Sequence, residues 1–247
     1  MTTRSLLLSC LIVVATALIT AQARADEHAD ARAIIDQAIE AMGGREVLAQ
    51  YKKPVQYEYK GKALGGTGWT DLTMKVTAVL PEKFATEQES LNRGNKVPFA
   101  IQFNGKQIWT NNVGPITDAT RVAGYRDKLY AEWIATLLPL DDEGFQLAPV
   151  DEITIDGRPA VGVKVSHADR PDVRLYFDKV NFTLVKFSRQ MQAGVFDETY
   201  DDFAELDGLV YPKKISYIAN GNKIVELEVT EIRFLDSVED AVFENPK

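Results

Sequence analysis

Catalysis needs reactive groups within reach of one another, and the 247-residue sequence offers few. Its two histidines are far apart: His28 near the start, and His167 in the run His167-Ala168-Asp169-Arg170-Pro171. Neither has the ligand spacing of a metal site or the orienting acid of a triad. The acidic groups Asp141-Asp142-Glu143 and Asp201-Asp202 could hold a hard cation, but they lack EF-hand spacing and read as solvated turns. No phosphate loop and no Gly-x-Ser-x-Gly elbow occurs. Lys213-Lys214, after Pro212, reads as the solvent-facing start of a strand, with contact to an acidic lipid head as the alternative. The sole cysteine, Cys10, precedes the folded region, so a mature chain has no disulfide, thiolate metal site or cysteine nucleophile. These residues point to a protein that is not an enzyme and carries no cofactor or metal.

The first 25 residues read as a removable leader. Arg4 supplies the positive start, Leu6 to Ile19 an apolar run, and Ala23-Arg24-Ala25 a small-x-small cleavage pattern. The run is short for a membrane span, and Cys10 sits inside it, not after it as a lipidation box requires. A cut after Ala25 leaves one domain over 26–247 and an expected periplasmic or secreted location. With 45% hydrophobic and 26% charged residues, the composition is that of a folded domain. The formal charge is −8, and loss of Arg4 and Arg24 with the leader takes it to −10. Without a block of lysine and arginine, nucleic acid is excluded as a partner.

The positioning elements follow from periodicity. Ala31, Ile34, Ile35, Ala38, Ile39 and Met42 recur at helical spacing, and Gly43-Gly44 ends that helix, predicted over Asp30–Met42. From Val55 the period changes to two. Roughly ten or eleven strand candidates follow, through the segment from Ile224 to Phe234. Asn104-Gly105, Asp156-Gly157, Asp207-Gly208 and Asn220-Gly221 are hairpin turns. A second helix interrupts the strands between Asp118 and Leu138, with Asp118 or Thr120 as cap and Pro139 as terminator. The pattern predicts one long antiparallel meander, an α+β arrangement with two helices available to cover one face.

A sheet of this size must close, stack on a second sheet, or be covered by helices. Covered, it is concave on its apolar side, and that interior is either filled by its own side chains or left partly open. The inserted helix is accordingly a movable cover or a fixed plug. For the open case the predicted ligand-binding residues are Leu72, Met74 and Val76 on the sheet and Tyr130, Trp133 and Leu137 on the cover. An acyl chain burying about ten methylenes gains roughly 8 kcal/mol, against an association cost of about 4–15 kcal/mol. Capture is then weak and reversible.

Several stretches together resemble the LolA-like family of exported open β-barrel proteins. They are Ala41-Met42-Gly43-Gly44, the segment Leu129-Tyr130-Ala131-Glu132-Trp133 through Leu140, Asp156-Gly157-Arg158-Pro159-Ala160, the strand Val173 to Asp178, and Asp207 to Pro212. The resemblance covers nearly the whole mature chain. It implies a curved, unclosed antiparallel sheet with amphipathic helices over its concave face. It also implies, as partner, a hydrophobic ligand (a lipid or acyl chain) or an acylated envelope protein, with at most transient membrane contact. The lid-latching arginine of the carriers has no matching motif here. The expected function is a lipid or lipoprotein carrier; the alternative is an envelope interaction or sensor module without lipid transport.

Overall fold

The computed structural model describes residues 27–245, apart from 67, 93–94, 112–113, 143 and 192–193. The leader predicted over 1–25, Cys10 included, lies outside the described residues. Helix α1 covers 27–41 of the described residues and so includes the three residues before the expected Asp30. It is followed by the one-turn helix α2 (Arg45–Leu48) and a 3₁₀ turn, Ala49–Lys52. Six strands come next: β1 (Val55–Gly65), β2 (Gly68–Val79), β3 (Lys83–Asn92), β4 (Asn95–Phe103), β5 (Ile108–Thr110) and β6 (Gly114–Ile116). Helix α3 (Ala119–Ala135) then precedes β7 (Gln146–Ile155), β8 (Arg158–Ser166), β9 (Val173–Asp178), β10 (Leu184–Met191), β11 (Gly194–Leu206), β12 (Leu209–Ala219) and β13 (Asn222–Phe234).

All thirteen strands form one antiparallel sheet in the order β6-β5-β4-β3-β2-β1-β13-β12-β11-β10-β9-β8-β7. The expected single meander is thus two meanders. Their terminal strands β1 and β13 pair in the middle of the sheet, from Val55 opposite Phe234 to Ala63 opposite Val225. The open edges are β6 and β7, and both carry a proline, Pro115 and Pro149, which cannot donate to a further strand. Two of these strands lack the period-two signal. Along β3 the residues on the face of Phe84 are Thr86, Gln88 and Ser90, and β6 is three residues long.

The predicted hairpin turns form as the residue types require. Asp156-Gly157, Asp207-Gly208 and Asn220-Gly221 each place both residues at positive φ, from 48° to 84°. At Asn104 the side-chain Oδ1 accepts from the amides of Lys106 and Gln107 at 3.0 Å. Between the two candidate caps of α3 the structure selects Asp118, whose Oδ1 accepts from Arg121 N at 2.9 Å. The helix stops at Ala135, before the expected Leu138, because Leu137 turns left-handed (φ 62°) and Pro139 enters a 3₁₀ turn.

The inward face of the sheet carries two packed clusters. One joins α1 (Ala31, Ile35, Ala38, Ile39) to β7–β10 through Leu147, Val163, Leu175 and Phe187. The other lies over β1–β5 and β12–β13, around Val55, Phe84, Phe103 and Ile232. Helix α3 belongs to both, with Val122 and Leu129 in the second cluster and Tyr130, Ala131 and Ile134 in the first. Its Tyr125 stacks on Phe84 of β3 at 5.5 Å, while its other end packs on β9 and β10.

The end of α1 seats on the β11–β12 turn, where Val210 N donates to Met42 O at 3.2 Å. Gly43 lies there at φ 117°, and a β-carbon on it would fall 2.3 Å from the carbonyl oxygen of Gly208. Gly43→Ala should therefore lower unfolding stability by about 2–3 kcal/mol, read from urea denaturation; an unchanged midpoint would show that α1 does not depend on this contact.

Candidate functional site

Beneath α3 the two clusters leave a cavity of about 230 Å³. Its floor follows from strand register. The inward residues Tyr57 and Tyr59 of β1 face Val76 and Met74 of β2, and on the other side Ile232 and Val229 of β13. Beyond β13 come Ile215 and Tyr217 of β12, then Tyr200 and Glu198 of β11. Tyr51 and Tyr211 complete a wall of six tyrosines among aliphatic side chains. Several rings make contacts of their own: Tyr57 stacks on Tyr59 at 5.8 Å, and Tyr57 Oη lies 3.4 Å from Tyr51 Oη.

The roof is polar. Lys128, Glu132, Ala135 and Thr136 line the cavity from α3 and its C-cap, the i, i+4, i+7, i+8 stripe of one helical face. Lys128 Nζ donates to Glu132 Oε1 and stands 5.0 Å over the ring of Phe84. Opposite this pair Glu198 is buried, 5% exposed, and Tyr200 donates to its Oε2 at 3.2 Å.

Burial, reinforced by the negative charge of Glu132, pushes the Glu198 carboxyl up to about 7, against the opposing pull of Lys128, Arg189 and the Tyr200 hydroxyl. The hydroxyls of Tyr57, Tyr59, Tyr200 and Tyr217 are held well above their ordinary range, chiefly by burial. The site therefore presents apolar ring faces and neutral hydroxyls near neutral pH, with one carboxyl poised between its two forms.

The six residues predicted to bind ligand are not brought together. Met74 and Val76 line the cavity under α3. Leu72, on the same face of β2, is 5% exposed and borders a separate concavity of about 860 Å³ lined mainly by charged residues such as Lys60, Lys62, Glu226 and Glu228. Those charges are largely matched, Lys60 with Glu228 at 3.2 Å and Lys62 with Glu226 at 2.8 Å. Tyr130 and Trp133 belong to the cluster over β7–β10 and line a third concavity of about 560 Å³ beside Phe145, His167 and Arg170. Leu137 is buried at 1% in the cluster under α1. Aromatic content marked the wrong stripe of α3 for the cavity, because the stripe that faces it is charged. Glu198 and the tyrosines of β11 and β12 were missed. Their signal was the inward parity of Glu198 between Phe196 and Tyr200, a carboxylate where alternation called for an apolar residue.

The acidic groups considered for a cation make other contacts. Arg45 bridges Asp141 at 2.9 Å and Asp36 at 2.8 Å, Arg158 reaches Asp201 at 3.1 Å and Lys214 reaches Asp202 at 3.1 Å. Glu143 lies outside the described residues. His167 Nδ1 is 2.8 Å from its neighbour's carbonyl, Ala168 O, and its ring lies against Phe145 at 5.1 Å.

Because Glu198 binds a proton more tightly folded than unfolded, the folded chain holds more protons between about pH 4.5 and 7, and stability must fall as pH rises through that window. Glu198→Gln should remove that fall and stabilise the protein at pH 8 by on the order of 3 kcal/mol, measured by denaturation at pH 5 and pH 8. Equal pH slopes in the two proteins would sink the assignment.

No family model matches the chain, and no curated protein matches it either. Solved structures do. A LolA superfamily protein from Nitrosomonas europaea, NE2245, superposes with a TM-score of 0.55 at 14% identity over 87% of this chain and 97% of that one. A DUF1329 family protein from Desulfovibrio piger gives 0.52 at 12% identity, over 87% and 97%. A putative outer membrane lipoprotein-sorting protein domain from Vibrio parahaemolyticus gives 0.51 at 10% identity, over 85% and 95%. The open thirteen-stranded sheet with helices across its concave face is the LolA-like fold, as the sequence resemblance implied.

Proposed function

We propose that the chain is an exported binding protein, without catalytic activity, that holds an acyl chain of a lipid or lipoprotein against the concave face beneath α3. The observation that carries this reading is the cavity itself, where six tyrosines and Met74, Val76, Val229 and Ile232 surround space that no side chain fills. At about 230 Å³ it is smaller than the roughly 300–1,000 Å³ typical of enclosed small-molecule sites, and it suits a segment of chain with the rest of the ligand outside. Among the described residues no helix is long and apolar enough to cross a membrane.

Helix α3 acts as a fixed roof in this reading. Burial of Val122, Leu129 and Ile134 contributes roughly 5–9 kcal/mol, comparable with the whole stability of a domain, so lifting the helix is costly. The ligand slides in beside it, past the Lys128–Glu132 pair, whose side chains keep 31% and 26% of their exposure. Lipid extraction and mass spectrometry of the purified mature protein should find a retained lipid. Met74→Trp and Val76→Trp, which fill the cavity, should weaken uptake of a fluorescent fatty acid at least tenfold. A wild-type protein that neither retains lipid nor takes up the fatty acid refutes the reading.

A second reading, an interaction or sensor module, draws on a different observation. Leu64, Trp69, Leu91, Val97, Met191 and Val195 are exposed large apolar residues, and the antiparallel order puts all six at one end of the sheet, on the β1–β2, β3–β4 and β10–β11 hairpins. An apolar rim of this kind suits docking to another envelope protein. A stoichiometric partner captured equally well by delipidated protein, and lost in Leu64→Ser/Trp69→Ser, would favour it over lipid carriage.

A further inference from the structure

The strongest unexplained feature of the concave face is Arg189. It points inward from β10, in register with Val173 of β9 and Phe196 of β11, one step along the strand from Phe187, which faces Glu198. Its residue is 6% exposed, and Nε and Nη1 are both buried with no hydrogen-bond partner. The guanidinium lies over the ring of Phe196 at 4.8 Å, and Phe196 in turn packs on Tyr217 of the cavity wall at 5.7 Å. No acidic side chain among the described residues forms an ion pair with it. A buried arginine with two unsatisfied N–H groups is expensive to keep, since an apolar residue of similar volume would serve the core better. The free guanidinium N–H groups match one class of group in particular, a planar or tetrahedral oxyanion.

We propose that Arg189 is the head-group site of the concave face, so that the ligand is an amphipath with an oxyanion head, carboxylate or phosphate, whose chain runs along the tyrosine wall toward Met74 and Val76. The inference rests on the lipid-binding reading above and narrows it to acidic lipids. The other charged and titratable groups around Glu198, the nearest carboxyl of β11 on the same face, are Lys128 and Glu132 from α3, Tyr200 on its own strand, Tyr217 of β12 and Tyr59 of β1. Below about pH 7 Glu198 takes up its proton, which removes the negative charge nearest to Arg189 on that face.

The test is a fluorescence titration of the delipidated mature protein at pH 6 with cis-parinaric acid and with its methyl ester, which keeps the chain and removes the charge. Wild type should bind the acid at least tenfold more tightly than the ester. Arg189→Met should bind both with the ester's affinity, and Arg189→Lys should recover part of the preference. Thermal melting keeps a folding defect apart from a binding one, because removing an unpaired buried charge should leave the Arg189→Met midpoint unchanged or raised. Displacement of the bound acid by oleate or by lysophosphatidic acid then separates carboxylate from phosphate as the preferred head. Equal binding of acid and ester by wild type, or a preference that survives in Arg189→Met, overturns the head-group assignment while leaving lipid binding intact. Binding of neither probe overturns both readings together.

Discussion

The pairing of β1 with β13 in the middle of the sheet constrains everything else. Because the chain's first and last strands meet there, the two free edges belong to β6 and β7, which are consecutive in sequence and separated only by the segment that contains α3. In a flat sheet those edges would lie about 58 Å apart, twelve spacings of ~4.8 Å, more than twice the length of a seventeen-residue helix at 1.5 Å per residue. Curling shortens the distance and makes a trough. The connection then crosses the trough, and α3 becomes a roof by topology before any side chain is considered.

Packing fixes that roof at two places and leaves a gap between them. Tyr125 anchors one end on Phe84 and Phe103, and Ile134 with Ala131 anchors the other among the residues beneath α1. Between the anchors the helix presents Lys128 and Glu132, and at its C-cap Thr136, to a floor of tyrosines. Neither surface is apolar enough to collapse fully onto the other, since tyrosine hydroxyls and a lysine–glutamate pair keep better solvation at a small distance than in direct contact. The cavity persists because its lining is amphipathic.

The same low-dielectric environment sets the chemistry of the charges it encloses. Glu198 is held near neutrality because its ionised form is poorly solvated and faces Glu132, while Arg189 lacks hydrogen-bond partners at two buried nitrogens. The two groups sit on one inward face of β10 and β11.

Sequence by itself determined the local elements: both long helices, eleven of the thirteen strands and the Asx-Gly turns. Each follows from interactions within a few residues, such as the Asp118 cap or the positive φ that Asp207-Gly208 allows. It left β3 unread, because a strand roofed partly by polar space can carry Thr86, Gln88 and Ser90 inward and lose its alternation. Met74 and Val76 were legible as lining because strand parity alone assigns their face. Tyr130, Trp133 and Leu137 were not, because the stripe of α3 that meets the sheet depends on how the helix is rotated across a curled surface. Tertiary structure alone decided that rotation, the central β1–β13 pairing and the meeting of Glu198 with α3, since each joins residues far apart in the chain whose contact no local pattern encodes.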